Sequence, residues 1–162
     1  MSHEPRLSQD LRTLLNTQRV AALGTLGDDG LPFVSMVPYA LEPRSACVVI
    51  HVSALAAHTR NLQDRPQVSM LVMQAEAADE PVHALPRVTL QGQACVLAPG
   101  SATWTDARSA YLARFPEVEP MTELGDFMFV AIQLLGARQV AGFGAARSLE
   151  ADEIAQLLRP LA

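Results

Sequence analysis

A run of four polar residues holds the side chains of this chain that are best suited to bind an anion. His58, Thr59, Arg60 and Asn61 follow one another, and each of their side chains can donate a hydrogen bond. The surrounding pattern predicts a short helix, whose start adds free backbone N–H groups and positive dipole character. The run therefore predicts a seat for a phosphate group. Two simpler interpretations stay open: an exposed helix start whose side chains face solvent, and a surface ion pair between Arg60 and Asp64.

The histidines do not form a metal site in the sequence. No HExxH, CxxC or GxSxG motif occurs, and the histidines lack the spacing of zinc ligands. The four are His3, His51, His58 and His83. We therefore expect no metal site and no side-chain nucleophile of the hydrolase type.

The composition is that of a globular protein with a substantial core. The chain has 162 residues, of which 49% are hydrophobic and 18% charged, and its net charge is −5. No basic stripe is present to neutralise phosphates, which argues against nucleic-acid binding. The N-terminus lacks the apolar region of a secretory signal, and no apolar run reaches the roughly 18 residues of a membrane span. We expect one cytoplasmic domain over residues 1–162, with Cys47 and Cys95 as buried thiols.

The apolar patterns predict six or seven strands joined by hairpins and short helices. The strands are expected at 19–26, 31–41, 46–52, 67–73, 87–97, 127–134 and 138–143. Helices are expected from Ser8, over 55–63, over 105–115 and from Ser148. Parallel winding requires a long helix between successive strands, and those are missing. The pattern favours a closed or half-closed antiparallel barrel.

Five motifs in this order resemble the flavin-binding split barrels related to pyridoxamine 5'-phosphate oxidase, and within them the haem-utilisation (HugZ-type) branch. They are LAAHTRNLQDRPQVSML at 55–71, RVTLQGQA at 87–94, YLARFPEVE at 111–119, GDFMFVAI at 125–132 and GFGAA at 142–146. The resemblance implies a mainly β (α+β) fold, a six-stranded antiparallel split β-barrel with short flanking helices. It also implies a homodimer that binds FMN at the subunit interface.

The resemblance assigns roles to further residues around the predicted phosphate seat. In related proteins the end of the third strand and part of the second line the flavin pocket, and a polar side chain opening the fifth strand approaches the flavin. The residues at these positions are Ser35, Met36, Val37, Ile50, His51, Val52, Ser53 and Arg87. For the strand residues the alternative is plain barrel lining. For Arg87 it is a strand-end side chain that reaches solvent.

The motifs favour an FMN-dependent oxidoreductase acting on an unknown small molecule, with FMN supplying the redox chemistry. The alternatives are a HugZ-like protein that binds or breaks down haem, and a flavin-binding module without turnover. Against haem, the family's iron ligand is associated with a C-terminal extension, and no His follows His83 here. The GFGAA segment also departs from the family's GFGRA, because Ala145 replaces the Arg, whose role is lost or transferred to Arg147.

Overall fold

The computed structural model describes residues 4–160, in which one eight-stranded antiparallel sheet is flanked by four helices. The elements are α1 (Arg6–Thr17), β1 (Val20–Leu26), β2 (Pro32–Pro38), β3 (Ala40–Glu42), β4 (Cys47–Ser53), α2 (Ala57–Asp64), β5 (Gln67–Met73), β6 (Arg87–Val96), α3 (Ala102–Arg114), β7 (Phe127–Val140), β8 (Ala146–Glu150) and α4 (Ala151–Leu158). Short 3₁₀ helices span Val82–Ala84 and Pro116–Glu123.

The sheet closes on itself because its two end strands are consecutive in the chain. The strand order is β2-β1-β5-β6-β7-β4-β3, and only Tyr39 separates β2 from β3. Tyr39 is fully buried, and its hydroxyl donates to the Leu15 carbonyl at 2.8 Å, which fixes the bend. If β2 and β3 are counted as one bent strand, six strands form the barrel. The predicted split barrel is confirmed.

Helices cover the barrel because their apolar side chains fall on one face. Leu11, Leu14 and Leu15 of α1 are spaced three and four residues apart and are all buried in the main core. On α2, Leu62 is buried in the same core. Pro66 follows α2 closely and disfavours helical geometry in the residue before it, so the helix ends at Asp64. Within residues 4–160, no helix combines the length and the apolar character needed to cross a membrane.

Four predicted elements differ from the structure. The first helix was expected from Ser8, but α1 begins at Arg6 after the N-cap Pro5, so Ser8 lies inside it. The expected strand over 31–41 is two strands, because the chain bends at Tyr39. The expected pair over 127–134 and 138–143 is one strand, β7, whose pairing with β6 shifts register opposite Leu135. Ser148 lies in β8 and does not cap α4; Glu150 and Glu153 form its capping box instead.

The two cysteines differ in exposure, although both lie on the outer face of the barrel wall, where α3 covers Cys47. Cys47 is buried, as predicted, whereas Cys95 is exposed. The prediction was wrong for Cys95 because side chains alternate along β6, and Ala94 takes the inward position. Both are free thiols.

Candidate functional site

The barrel is split where β2 and β4 lose their strand partners. β3 pairs with β4 only from Cys47 to Val49, so Ile50–Ser53 pairs on one side alone, with β7. Within the described part of the chain, β2 pairs only with β1. The helix α2 lies beside this opening: Thr59 donates to the Ser53 carbonyl at 2.6 Å. The split therefore joins the predicted strand residues to the predicted helix residues.

His58 is the residue of α2 that meets β2. Its Nδ1 lies 3.0 Å from the Ser35 hydroxyl oxygen. The side chain is half-buried, and this burial lowers the pKa of the imidazole below its usual value, because the charged form is less well solvated. Among residues 4–160, no group hydrogen-bonds the other ring nitrogen, Nε2. The imidazole thus has one nitrogen oriented by a hydroxyl and one left for a ligand.

The other three residues of the polar run are turned in different directions by the helix. Thr59 is 0% exposed, and its hydroxyl is bound to Ser53. The Asn61 amide donates to the buried Thr25 hydroxyl at 3.0 Å. Only Arg60 is exposed, and in the described structure its guanidinium has no hydrogen bond or ion pair, Asp64 included. Because Thr59 and Asn61 are bound to Ser53 and Thr25, the four side chains do not converge on one anion.

The predicted residues of β2 do not face one pocket. Ser35 points to His58, whereas Met36 is on the opposite face of the strand and is 64% exposed. Val37 shares the face of Ser35 but is buried in the barrel core. The expectation of a common direction was wrong because successive side chains of a strand alternate between its faces. The alternation also places the exposed ring of Phe33 on the Ser35 face, as the strand pattern predicts, although Phe33 was not among the predicted site residues.

The predicted residues of β4 divide in the same way. Ile50 and Val52 are buried in the barrel core, which bears out the simpler interpretation of barrel lining for these two. His51 faces the other side, where its ring centroid lies 5.8 Å from Tyr111, 5.2 Å from Phe127 and 4.4 Å from Phe129.

Burial under these rings lowers the pKa of His51 as well. His51 therefore belongs to the packing beneath α3.

The Ser53 hydroxyl accepts a hydrogen bond from the Leu55 backbone N–H at 3.2 Å and so holds the turn before α2.

Arg87 and Arg147, also considered for ligand binding, both donate hydrogen bonds within the protein. Arg87 donates to the Leu85 carbonyl at 2.9 Å and to the His83 carbonyl at 3.3 Å. Arg147 donates to the Gln139 side chain at 2.8 Å and to the Ser8 hydroxyl at 3.2 Å. Arg147 is thus engaged in a network that fixes α1 to the sheet. Nowhere in residues 4–160 do three or more His, Cys, Asp or Glu side chains form a group able to hold a metal ion.

Comparisons with known proteins identify the family. The pyridoxamine 5'-phosphate oxidase family profile matches residues 7–158. The chain is 28% identical to the heme oxygenase HutZ of Vibrio cholerae over 92% of its own length and 84% of HutZ. It is 30% identical to the chloroplastic non-canonical heme oxygenase HOZ of Arabidopsis thaliana, over 94% of this chain and 50% of that protein.

Solved structures give the same relationship. A heme binding protein from Mycobacterium smegmatis superimposes with a TM-score of 0.83 at 29% identity, covering 96% of this chain and 62% of that one. A crystal structure of HutZ, described as a heme storage protein, has a TM-score of 0.72 at 26% identity, covering 80% of this chain and 91% of that one. The chain therefore spans most of HutZ but under two thirds of the plant and mycobacterial proteins.

These relatives correct the expected ligand and the expected function. FMN as cofactor and an FMN-dependent oxidoreductase as function were the wrong predictions, because the matched relatives are named for haem. The error came from transferring the ligand of the wider fold family to a branch with different relatives. The motifs themselves pointed to the right branch. The chain belongs to the pyridoxamine 5'-phosphate oxidase family, in its HugZ-type branch.

Proposed function

We propose that this protein binds haem. The observation that carries the proposal is the similarity to HutZ, which extends over 92% of this chain and 84% of that haem oxygenase. A similarity of this extent covers the barrel, the split and all the candidate site residues together. It therefore relates whole domains and is not limited to one shared motif.

The chemistry of the residues around the split fits haem. Haem offers a wide apolar ring, two carboxylates at its edge and an iron that takes axial ligands. Two exposed apolar side chains are Leu31, in the turn before β2, and Phe33, on the Ser35 face of β2. Arg60 is an exposed cation without a partner in the described structure, suited to a carboxylate. His58 is a half-buried imidazole in the same region, and burial lowers its pKa.

Oxidative breakdown of haem is the second candidate, and the names of HutZ and HOZ favour it. In that case the porphyrin is the substrate, and the protein positions the ring and controls access to it. Other relatives are described as binding or storing haem, which is the alternative of binding without turnover. Adding ascorbate to the haem complex in air separates the two. Breakdown predicts steady loss of the Soret band beyond that of free haem, whereas storage predicts a stable band.

Haem binding itself is tested by titrating the purified protein with ferric haem and recording the absorbance spectrum. We expect a shifted Soret band that saturates at a fixed ratio of haem to protein. Free haem, and haem mixed with a protein that has no haem site, serve as references for non-specific association. A spectrum that stays that of free haem through equimolar addition would remove the proposal.

We also propose that the protein is a homodimer formed through the outer face of β1 and β2. Val34 and Met36, 67% and 64% exposed, lie on this face beside a cavity of about 470 Å³. The exposed Leu135 lies at the rim of this cavity, and Gly24 lies in its lining. An apolar patch and a cavity on one face suit a two-fold contact between identical surfaces.

The dimer is tested by sedimentation of the Met36→Lys variant. We expect a dimer for the wild type and a monomer for this variant, because a buried, unpaired ammonium is costly at an interface. Met121→Lys is the matched control, since Met121 is also exposed but lies outside β1 and β2. A wild-type monomer at all concentrations would contradict the proposal.

A further inference from the structure

We infer that a cavity beside α1 binds a small zwitterion of the α-amino acid kind. The cavity has a volume of about 380 Å³ and lies between α1, the ends of β5 and β7, and the start of β6. Gln74, Pro86 and Val140 line it from these strand ends. Within residues 4–160 its lining shares no residue with the split, so binding there neither requires nor excludes haem.

The helix α1 contributes one stripe of side chains to the wall of this cavity. Arg6, Asp10, Thr13, Leu14 and Thr17 all line it. Steps of three or four residues place these side chains on one face of the helix. Leu14 is buried in the main core, whereas the other four are polar. The stripe thus gives the cavity a cation, a carboxylate and hydroxyl groups beside an apolar side chain.

The two charged side chains of the stripe are held to each other only loosely. Nε of Arg6 and Oδ2 of Asp10 are 3.9 Å apart, which is beyond the length of a hydrogen bond, and the side chains are 92% and 47% exposed. In the described part of the chain, neither group has another ion-pair partner. An exposed pair of this kind contributes little to stability. The opposite charges of a ligand can therefore replace it at small cost.

One charge of each sign in the wall selects the charge type of the ligand. Asp10 repels a simple anion bound beside Arg6, and Arg6 repels a simple cation bound beside Asp10. A molecule with a carboxylate and an ammonium on the same carbon can meet both side chains at once, through charged hydrogen bonds. An α-amino acid has this arrangement.

The wall also has a buried amide and apolar groups for the rest of such a molecule. Gln139 lines the cavity and is 2% exposed. Its Nε2 donates to the Leu7 carbonyl at 2.8 Å, and its Oε1 accepts from Arg147 Nε at 2.8 Å. A side-chain amide has two N–H donors and two acceptor lone pairs, so one of each is left for a ligand. Pro86 and Val140 suit an apolar side chain, and L-leucine is therefore the probe.

The test is a titration of the isotope-labelled protein with L-leucine, followed by NMR of the backbone amides. We expect saturable shifts at Asp10, Gln18 and Val140, with a dissociation constant of about 0.1–5 mM, as suits a ligand of so few atoms. Isocaproate is the same molecule without the ammonium, and L-leucinamide has a neutral amide in place of the carboxylate. Each should bind at least about threefold more weakly than leucine.

Two variants assign the two charges. In Asp10→Asn we expect the preference for leucine over isocaproate to disappear, and in Arg6→Gln the preference for leucine over leucinamide. Arg44→Gln and Asp106→Asn are the matched controls, because these residues form another exposed pair, at 3.2 Å, outside the cavity. Both controls should keep both preferences. The same spectra show whether each variant is folded.

Absence of saturable shifts at leucine concentrations about tenfold above the expected range would overturn the site, and so would shifts confined to other parts of the chain. Equal binding of the three molecules by the wild type would overturn the zwitterion, as would binding of glucose but not of leucine. No haem is present in these titrations, so their outcome is separate from that of the proposed function.

Discussion

Neighbouring polar residues of α2 have different roles because each is turned by about 100° from the last. His58 meets Ser35, Thr59 is buried against Ser53, and Asn61 reaches Thr25 inside the barrel. Only Arg60 is left in solvent. At the scale of single residues, the run from His58 to Asn61 thus has two roles: some of its side chains hold α2 against the barrel, and others are open to a ligand. The two roles are separable by mutation.

Replacing Thr59 by Val tests its role in holding α2 against the barrel. The change keeps the side-chain shape and removes a hydrogen bond of 2.6 Å to the Ser53 carbonyl. The Ser53 carbonyl still accepts a hydrogen bond from the Ala56 N–H in the variant. We therefore expect the free energy of unfolding to fall by about 1 kcal/mol, with unchanged haem affinity. Chemical denaturation and haem titration measure the two quantities. Thr105→Val is the control: it removes an exposed hydroxyl–carbonyl hydrogen bond and should lower the free energy of unfolding by less. Weaker haem binding by Thr59→Val would instead mean that Thr59 contacts the ligand.

Replacing Arg60 by Gln tests the ligand role. An exposed cation that meets a haem carboxylate contributes little, so we expect haem affinity to fall about two- to fivefold at low salt. The difference should shrink as ionic strength rises, because salt screens exposed charges. Arg44→Gln is the control, since Arg44 is an exposed arginine paired with Asp106 across 3.2 Å. Equal affinities for the wild type and Arg60→Gln at low salt would place the carboxylates elsewhere.

The residue types of the site could be read from the sequence, but their directions could not. The run from His58 to Asn61 and the serines at 35 and 53 do come together at the split. Whether a side chain of this run can still bind a ligand depends on its partner within the protein. Asn61 is bound to Thr25, which is distant in the sequence, and Thr59 is bound to the Ser53 carbonyl in the turn before α2. The position of Phe33 beside Ser35 could be predicted, because alternate residues of a strand share one face. The loop contacts of Arg87 depend on how the chain folds before β6.

At the scale of elements, the barrel depends on sharp bends in long strands. β2 and β3 are joined through the buried Tyr39, and β6 curves where Gly92 passes close to β7. A Cβ at Gly92 would lie 2.7 Å from both the Gln133 carbonyl oxygen and Ile132 Cγ2. Backbone on one side and a core side chain on the other leave little room for adjustment. Glycine is therefore required there for close approach of two strands.

We expect Gly92→Ala to lower the free energy of unfolding by about 1–3 kcal/mol through this overpacking. Gly125→Ala is the matched control, because a Cβ at Gly125 meets nothing within 4 Å and its backbone angle is not in the left-handed region. Denaturation of both variants by urea gives the comparison. Equal stability of the two would show that β6 and β7 can separate at no cost.

Element types followed from periodicity, while strand continuity did not. The alternation in Gln67–Met73 and Arg87–Val96 gave strands with the observed bounds or within one residue of them. The link expected at 135–137 looked like a turn because of Gly136, yet β7 runs through it with an extra residue at Leu135. A bulge and a turn have similar local composition, and only the partner strands β6 and β8 decide between them.

At the scale of the whole molecule, stability should depend on pH through its half-buried histidines. Burial among aromatic rings lowers the pKa of His51 below its usual value of 6.5. The unfolded chain then binds a proton before the folded protein does. Stability is therefore present above the unfolded pKa and is lost as pH falls toward the lower folded pKa.

We expect the melting temperature of the wild type to fall between about pH 7.5 and pH 5, in the range of histidine titration. His51→Phe keeps a ring between Phe127 and Phe129 and removes the titrating group, so its curve should fall less steeply. Parallel curves for the two proteins would show that His51 does not contribute to the pH dependence. His83→Phe, at an exposed position, controls for loss of a histidine as such.

The central claim concerns the ligand of the whole protein, and native mass spectrometry tests it directly. The wild-type protein is mixed with equimolar haem and FMN and its intact mass is recorded. The account predicts a dimer carrying haem and no FMN adduct. An FMN adduct with the haem left free, or a protein that retains neither molecule, would contradict it.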